Sequence, residues 1–230
     1  MSEQIKSMFA GLASRYDRTN TVLSLGIHKL WRRKVVRLAE VKPGMDILDC
    51  ATGTGDLALE FRKAVGKSGT VIGTDFCAEM LEFAPAKAKE QGLDVRFEIA
   101  DAMNLQYPDK SFDISSISFG IRNVDSPAQC LKEMARVLRP GGRVMILEFG
   151  QPEGAFKYLY SIYRAVFIPV LGWLVTGKNK DAYQYLLDTT AVFPSGKKFV
   201  EMMDATGVFS ERRYVPFTFG IAYLYIGIVK

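Results

Sequence analysis

The sequence predicts an α/β domain built on a mostly parallel sheet with helices on both faces. Three observations predict it. Short apolar runs alternate with amphipathic stretches from residue 45 to residue 150. An acidic side chain closes or follows each of the first three runs. The 230 residues, 48% apolar and 24% charged, suit one domain with additions at its edges.

Met45 to Cys50 is the first strand, and Asp56 to Val65 has a helical pattern. Thr70 to Asp75 is the second strand. Glu79 to Gln91 reads as one helix, followed by a third strand at Val95 to Ile99. Phe112 to Ser118 is the fourth strand. Pro127 to Leu138 is a helix with Ser126 as its cap and proline in its first turn. The segment Arg139-Pro140-Gly141-Gly142 stops it, and Arg143 to Phe149 is the fifth strand. Strand and helix alternate at the spacing of a doubly covered parallel sheet. After a non-alternating stretch, Ser195 to Thr206 is helical. Arg213 to Phe219 and Ile221 to Val229 form a closing hairpin around Gly220, which brings the sheet to seven strands.

Residues 1–40 precede the alternation as N-terminal cap helices, and residues 151–195 form a helical insertion after strand five. The whole chain, 1–230, is read as one domain. Residues 155–177 are apolar and aromatic, with Phe156, Tyr160, Tyr163, Phe167, Trp173 and Leu174 among them. The uncharged stretch between Arg164 and Lys178, interrupted by Pro169, is shorter than the ~20 residues a spanning helix needs. It suits a buried helix pair, an interfacial helix, or the lid of an apolar pocket.

The net charge of +5 is unevenly spread. Both flanks are basic and residues 41–150 are mildly acidic. A basic flank suits an anionic surface or plain solvent. The basic residues interleave with apolar runs instead of forming a stripe, so nucleic acid is not an expected partner. The first ten residues carry Glu3 and Lys6 and lack a long apolar run, so no signal peptide is expected. Cys50, Cys77 and Cys130 have no metal-ligand spacing, and reduced thiols in a cytoplasm are expected.

The first turn, Asp49-Cys50-Ala51-Thr52-Gly53-Thr54-Gly55-Asp56, joins a strand to a helix with small residues that admit a ligand close to the backbone. Gly53-x-Gly55-x-x-Ala58 also fits a dinucleotide pattern, which keeps an NAD-dependent oxidoreductase in play. Asp49 favours a different ligand. A carboxylate there suits the ammonium of an amino-acid moiety and disfavours a pyrophosphate. Asp75 is placed to accept ribose hydroxyls, and Asp101 with the neighbouring Ala102 to read an adenine edge. Three acids on one carboxyl edge point to S-adenosylmethionine (SAM).

The order Asp49, Gly53-x-Gly55, Asp75, Asp101 and Pro108-Asp109-x-Ser111-Phe112-Asp113 resembles class I SAM-dependent methyltransferases, which have a Rossmann-like α/β fold. The strings Tyr16-Asp17-Arg18-Thr19-Asn20 through His28-Lys29-Leu30-Trp31, and Arg136-Val137-Leu138-Arg139-Pro140-Gly141-Gly142 through Leu147-Glu148-Phe149, resemble two signatures of the ubiquinone/menaquinone C-methyltransferase (UbiE/MenG) family. Ser118 to Val124 is similar to it as well. Thr19 stands where that family usually has Met, and Gly150 where it usually has Ser. The resemblance implies a SAM site lined by Thr54, Asp75, Asp101, Ala102 and Ser118, with Gly53 and Gly55 shaping its turn. It implies ring-carbon methylation of a polyprenylated quinol. The product would be menaquinol or a ubiquinone precursor. Another lipid-like acceptor, such as phosphatidylethanolamine or a sterol, is the alternative; a non-catalytic SAM-binding scaffold is a further one.

Carbon methylation of a quinol needs an activated phenol and in-line alignment, and requires no metal. Arg122 is a candidate to stabilise a phenolate, or else an ion-pair partner of Asp101 or Asp125. Asn123 is a candidate to orient a water or a quinol oxygen. Tyr16 and Asp17 lie in the N-terminal segment that can close over the cofactor, or else serve packing and helix capping. Arg122, Asn123 and Tyr16 are expected as a polar cluster around the acceptor. His28, the one histidine, is a candidate for proton transfer or a structural residue. The expected location is cytoplasmic, with contact at the inner membrane face. The sequence leaves the oligomeric state open, a homodimer included.

Overall fold

Residues 46–50 carry the burial of a strand covered on both faces, and they occupy the middle of the sheet. The computed structural model describes residues 3–152, 154, 156–163 and 181–230. In it β1 (Asp46–Cys50) pairs in parallel with β2 (Thr70–Asp75) on one side and β4 (Phe112–Ser118) on the other. β2 carries β3 (Arg96–Ile99), and β4 carries β5 (Leu138–Phe149), all parallel. β7 (Ala222–Val229) runs antiparallel between β5 and β6 (Phe209–Phe217). The order is β3-β2-β1-β4-β5-β7-β6. The dinucleotide-binding sheet has the strand order 3-2-1-4-5-6, so the reversed β7 inserted between β5 and β6 separates this fold from that one.

The strands are apolar on both faces because helices cover both. On one face α3 (Ile27–Leu38) and α4 (Asp56–Val65) bury Val35, Leu57 and Phe61 against Ile47, Ile114 and Leu224. On the other, α7 (Pro127–Arg136) and α10 (Lys197–Ala205) bury Leu131, Met134 and Phe199 against Leu48, Ile117 and Tyr225. Neighbours such as Ile47 and Leu48 fall in different cores because side chains alternate along a strand.

Four local differences from the sequence pattern have physical causes. The stretch expected as one helix is two, α5 (Ala78–Leu81) and α6 (Ala84–Glu90), because Pro85 has no N–H to continue the first. β5 begins at Leu138, paired with Phe112. The ladder then skips across the Gly141 turn and resumes at Arg143 opposite Ile114. α7 stops at Arg136, and Ser126 caps it through a bond from the Gln129 amide. β6 starts four residues earlier than the alternation suggests, because Phe209 seals one core.

The N-terminal residues form α1 (Glu3–Leu12) and α2 (Tyr16–Leu23) ahead of α3. The insertion contributes α8 (Phe156–Ile162) and α9 (Asp181–Val192). The expected lid residues Phe167, Pro169, Trp173 and Leu174 lie outside the described residues. Among the described residues no helix is long and apolar enough to cross a membrane.

Phe61, on the inner face of α4, is fully buried. Truncation to alanine removes its transfer free energy and leaves a void. Phe61→Ala is expected to lower the unfolding free energy by about 3–5 kcal/mol, measured by urea titration of the purified chain.

Candidate functional site

The strand order reverses between β1 and β4, and an open α/β sheet binds ligands outside the carboxyl ends of the strands at such a point. Asp49, Asp75 and Asp101 stand at the carboxyl ends of β1, β2 and β3, which are adjacent. Ser118 ends β4 on the other side of the reversal.

Asp49 is buried and takes two short hydrogen bonds, from Thr52 Oγ1 and from Ser116 Oγ, each at 2.6 Å. Burial outweighs those bonds and pushes its carboxyl up to about 6. Asp75 Oδ2 accepts from the Gly53 amide at 2.8 Å, and Oδ1 from the Cys77 amide at 2.9 Å. Burial also raises its pKa. The second strand thereby fastens the turn of the first. That turn needs glycine: Gly53 and Gly55 have φ of 58° and 85°. A Cβ on Gly55 would press to 3.0 Å on Ala84 and the Phe97 ring. Asp101 Oδ1 accepts from the Met103 amide at 2.9 Å, and Ala102 is buried beside it.

Thr54 bonds outward to the N-terminal cap. Its hydroxyl donates to Asp17 Oδ1 at 2.6 Å, and Lys87 Nζ bridges Asp17, Thr54 and Asp56. Arg32 completes the set on Asp56 Oδ2 at 2.7 Å. Tyr16, next to Asp17, stands over the turn, 4.0 Å from where a Cβ on Gly53 would lie.

Tyr16 also lines a cavity of about 500 Å³ between α1–α3, the carboxyl ends of β4 and β5, and the insertion. Its walls are mainly apolar and aromatic. Phe119 packs on Phe149 with the rings tilted by 30° and their centroids 4.4 Å apart, and Trp31 leans on both. Tyr163 reaches across from the end of α8 to donate to the Leu23 carbonyl at 2.7 Å, joining insertion to cap.

Arg122 enters this cavity wall as half of a buried ion pair. Its Nη1 donates to Glu148 Oε1 and to the Phe119 carbonyl, each at 2.7 Å. The partner is Glu148, where the sequence pointed to Asp101 or Asp125. Arg122 Nε is buried without a hydrogen-bond partner among the described residues, as is Ser118 Oγ. Asn123 is buried and lies behind the wall. Its Oδ1 accepts from the Tyr185 hydroxyl at 3.0 Å, and it is Tyr185 that lines the cavity. His28 lines the cavity too, with Nδ1 2.5 Å from Ser24 Oγ. Burial and then the Arg32 charge hold its imidazole down to about 4, so it is neutral at physiological pH.

The structure thus brings Tyr16, Arg122 and His28 to one cavity and sets Asp49, Asp75, Asp101 and Ser118 along the adjoining sheet edge. Sequence reasoning missed Glu148, Tyr185 and Lys87 as site residues. An acid ending an apolar strand was the available signal for Glu148. The others rest on contacts between residues distant along the chain.

This fold is that of class I methyltransferases. A SAM-dependent methyltransferase from Aquifex aeolicus superposes with a TM-score of 0.62 at 19% identity, over 86% of this chain and 89% of that one. A possible histamine N-methyltransferase from Thermotoga maritima superposes with a TM-score of 0.68 at 21% identity, over 97% and 99% of the two chains. The family described as the ubiE/COQ5 methyltransferase family matches residues 1–229, and the chain belongs to it. It is 56% identical to a ubiquinone/menaquinone biosynthesis C-methyltransferase of Bdellovibrio bacteriovorus, over 99% of this chain and 97% of that one. It is 42% identical to a demethylmenaquinone methyltransferase of Deinococcus radiodurans, over 98% and 92%. Membership implies SAM as the methyl donor.

The folded carboxyl of Asp49 titrates near pH 6 and an unfolded aspartate near ~3.9. The folded state holds the extra proton between these values, so the Asp49 contribution to stability grows as pH falls from 7 to 5. Urea titrations of wild type and Asp49→Asn should show their difference moving in favour of wild type by about 1 kcal/mol over that range. A pH-independent difference would mean the carboxyl ionises as it does in solvent.

Proposed function

We propose that this chain transfers the methyl group of SAM to a ring carbon of a polyprenylated quinol, with demethylmenaquinol as the acceptor. The observation that carries the reading is that Tyr16 is shared. It stands over the glycine turn and also walls the apolar cavity. A ring bound there lies next to whatever the turn holds.

The cofactor assignment rests on chemistry at the sheet edge. Two buried carboxylates with raised pKa values suit a ligand that brings positive charge and hydroxyl donors. In this reading Asp49 faces the amino-acid ammonium, Asp75 the ribose hydroxyls, and Asp101 with Ala102 the adenine edge. Ser118, with its hydroxyl unpartnered among the described residues, and Thr54 complete the wall, and Gly53 and Gly55 shape the turn. When bound, SAM supplies an electrophilic methyl on a sulfonium.

The protein's task is to make the ring carbon nucleophilic and to aim it. The Arg122 guanidinium, in the cavity wall, donates to the phenolic oxygen and stabilises negative charge there. Glu148 fixes the guanidinium in place. Asn123 acts at one remove, by orienting the Tyr185 hydroxyl. Tyr16, whose burial raises its pKa, stays protonated and closes the site against water. The ring carbon gains the methyl and then loses its proton, restoring the aromatic ring.

A prenyl tail extends along the apolar walls toward the bilayer. Leu25 and Ile162 line the cavity and are exposed, as is Phe219, which packs on Phe156. We infer peripheral contact with a membrane through this rim.

Incubation with SAM and a prenylated demethylnaphthohydroquinone, beside a benzoquinol control, tests the acceptor. Mass spectrometry should find the naphthoquinol heavier by one CH2; an unaltered naphthoquinol would sink the proposal. Arg122→Lys keeps the charge opposite Glu148 but loses the planar donor set of the guanidinium. Its kcat is expected to fall by about 10²-fold with SAM affinity retained, read from steady-state kinetics and calorimetry. Leu25→Asp with Phe219→Asp should abolish co-sedimentation with anionic lipid vesicles at unchanged SAM affinity. Sedimentation equal to wild type would place the membrane contact elsewhere.

A further inference from the structure

The hydrogen-bond geometry of His28 fixes which ring nitrogen carries its proton. Ser24 Oγ lies 2.6 Å from the Asn20 carbonyl oxygen and 2.5 Å from His28 Nδ1. A serine hydroxyl has one proton, and a carbonyl oxygen has none to offer. If that proton went to Nδ1, two oxygens would face each other at 2.6 Å with lone pairs opposed. Donation to Asn20 satisfies every group only when Nδ1–H donates to Ser24 Oγ. The ring is then the Nδ1–H tautomer, and Nε2 carries a lone pair.

That lone pair belongs to a residue of the cavity wall. His28 is buried on α3, and Ser24, Thr19 and Trp31 line the cavity beside it. Its place is on the side of the glycine turn: Arg32, one helical turn along α3, pairs with Asp56 directly after Gly55. Arg32, Lys29, Asp56 and Asp17 are the charged groups that face it, and against a buried imidazole they leave it neutral well below physiological pH. The wall therefore holds an obligate hydrogen-bond acceptor in mainly apolar surroundings, while the Arg122 guanidinium, which can only donate, lines the same cavity.

An aromatic diol and its oxidised dicarbonyl have nearly the same shape and differ in this one respect. The diol's hydroxyls donate; the carbonyls only accept. We propose that His28, held by Ser24, is the residue that selects the reduced diol over the dicarbonyl. The inference rests on the quinol reading above. Nε2 accepts from a hydroxyl but meets a carbonyl oxygen lone pair to lone pair, and a site built to bond a hydroxyl rejects an analogue without it strongly. His28 is then a specificity residue that touches substrate, and Ser24 is a positioning residue acting through it.

The test is anaerobic calorimetry of a short-tailed demethylnaphthohydroquinone and of its quinone, each titrated into the chain saturated with S-adenosylhomocysteine. Wild type should favour the hydroquinone by at least about tenfold. His28→Gln, whose amide donates as well as accepts, should bring the two affinities within about twofold. Ser24→Ala, which frees the tautomer, should narrow the gap in the same direction. Unchanged S-adenosylhomocysteine affinity in each variant reports an intact fold, and either variant alone suffices. Equal binding of both forms by wild type, or a wild-type preference retained in the folded variants, overturns the inference and leaves the acceptor reading standing. Binding of neither form by wild type removes both.

Discussion

A carboxylate at the tip of one strand holding the backbone of the next strand's turn is the contact on which the site depends. Asp75 accepts the Gly53 amide, and the turn it steadies passes through the left-handed region at Gly53 and Gly55. Such a turn is free to move in isolation, because glycine has the most backbone freedom to lose. Two partners restrain it here: Asp75 from β2, and the Thr52 amide, which bonds to the Thr74 carbonyl at 2.8 Å. Asp49 stiffens the same turn through Thr52 and ties β1 to β4 through Ser116. The desolvation of both carboxylates disfavours their ionised forms, which makes this edge receptive to a cationic, hydroxyl-rich ligand.

The cap is coupled to that turn by charge. Asp17 accepts a hydrogen bond from Thr54 and pairs with Lys87, which also meets Asp56, and Arg32 meets Asp56 from α3. Half-buried and shared among four charged groups and the Thr54 hydroxyl, this network is stronger than an isolated surface pair. It orients α2 so that Tyr16 lies over Gly53. The cavity exists because α1–α3 and the insertion roof a space at the sheet edge, and Tyr163 and Trp31 pin the two sides, on the Leu23 carbonyl and the Thr218 hydroxyl.

Polar groups in such a cavity are expensive unless each is held. Arg122 and Glu148 neutralise one another, and the pair costs desolvation that its attraction only partly repays. That a donor atom of the arginine is left without a partner among the described residues is therefore informative. The same holds for His28, whose neutral ring is held on one nitrogen. Around these groups the wall is aromatic, which suits a flat, apolar-tailed molecule and excludes water.

By itself the sequence determined the strand and helix alternation, the glycine turn, and the acids at the strand ends. These are local properties: side-chain period, turn chemistry and the position of a residue at the end of an apolar run need only near neighbours. The split at Pro85 was equally local, and visible in the proline itself. Tertiary structure decided the reversed β7, the pairing of Arg122 with Glu148, and the reach of Tyr185 to Asn123 from 62 residues away. It decided that Asp17 meets Lys87, 70 residues apart, and that Asn123 stands behind the wall while His28 stands in it. Such choices follow from which elements the packing brings together, and a side chain's nearest neighbour in space leaves no periodic trace along the chain.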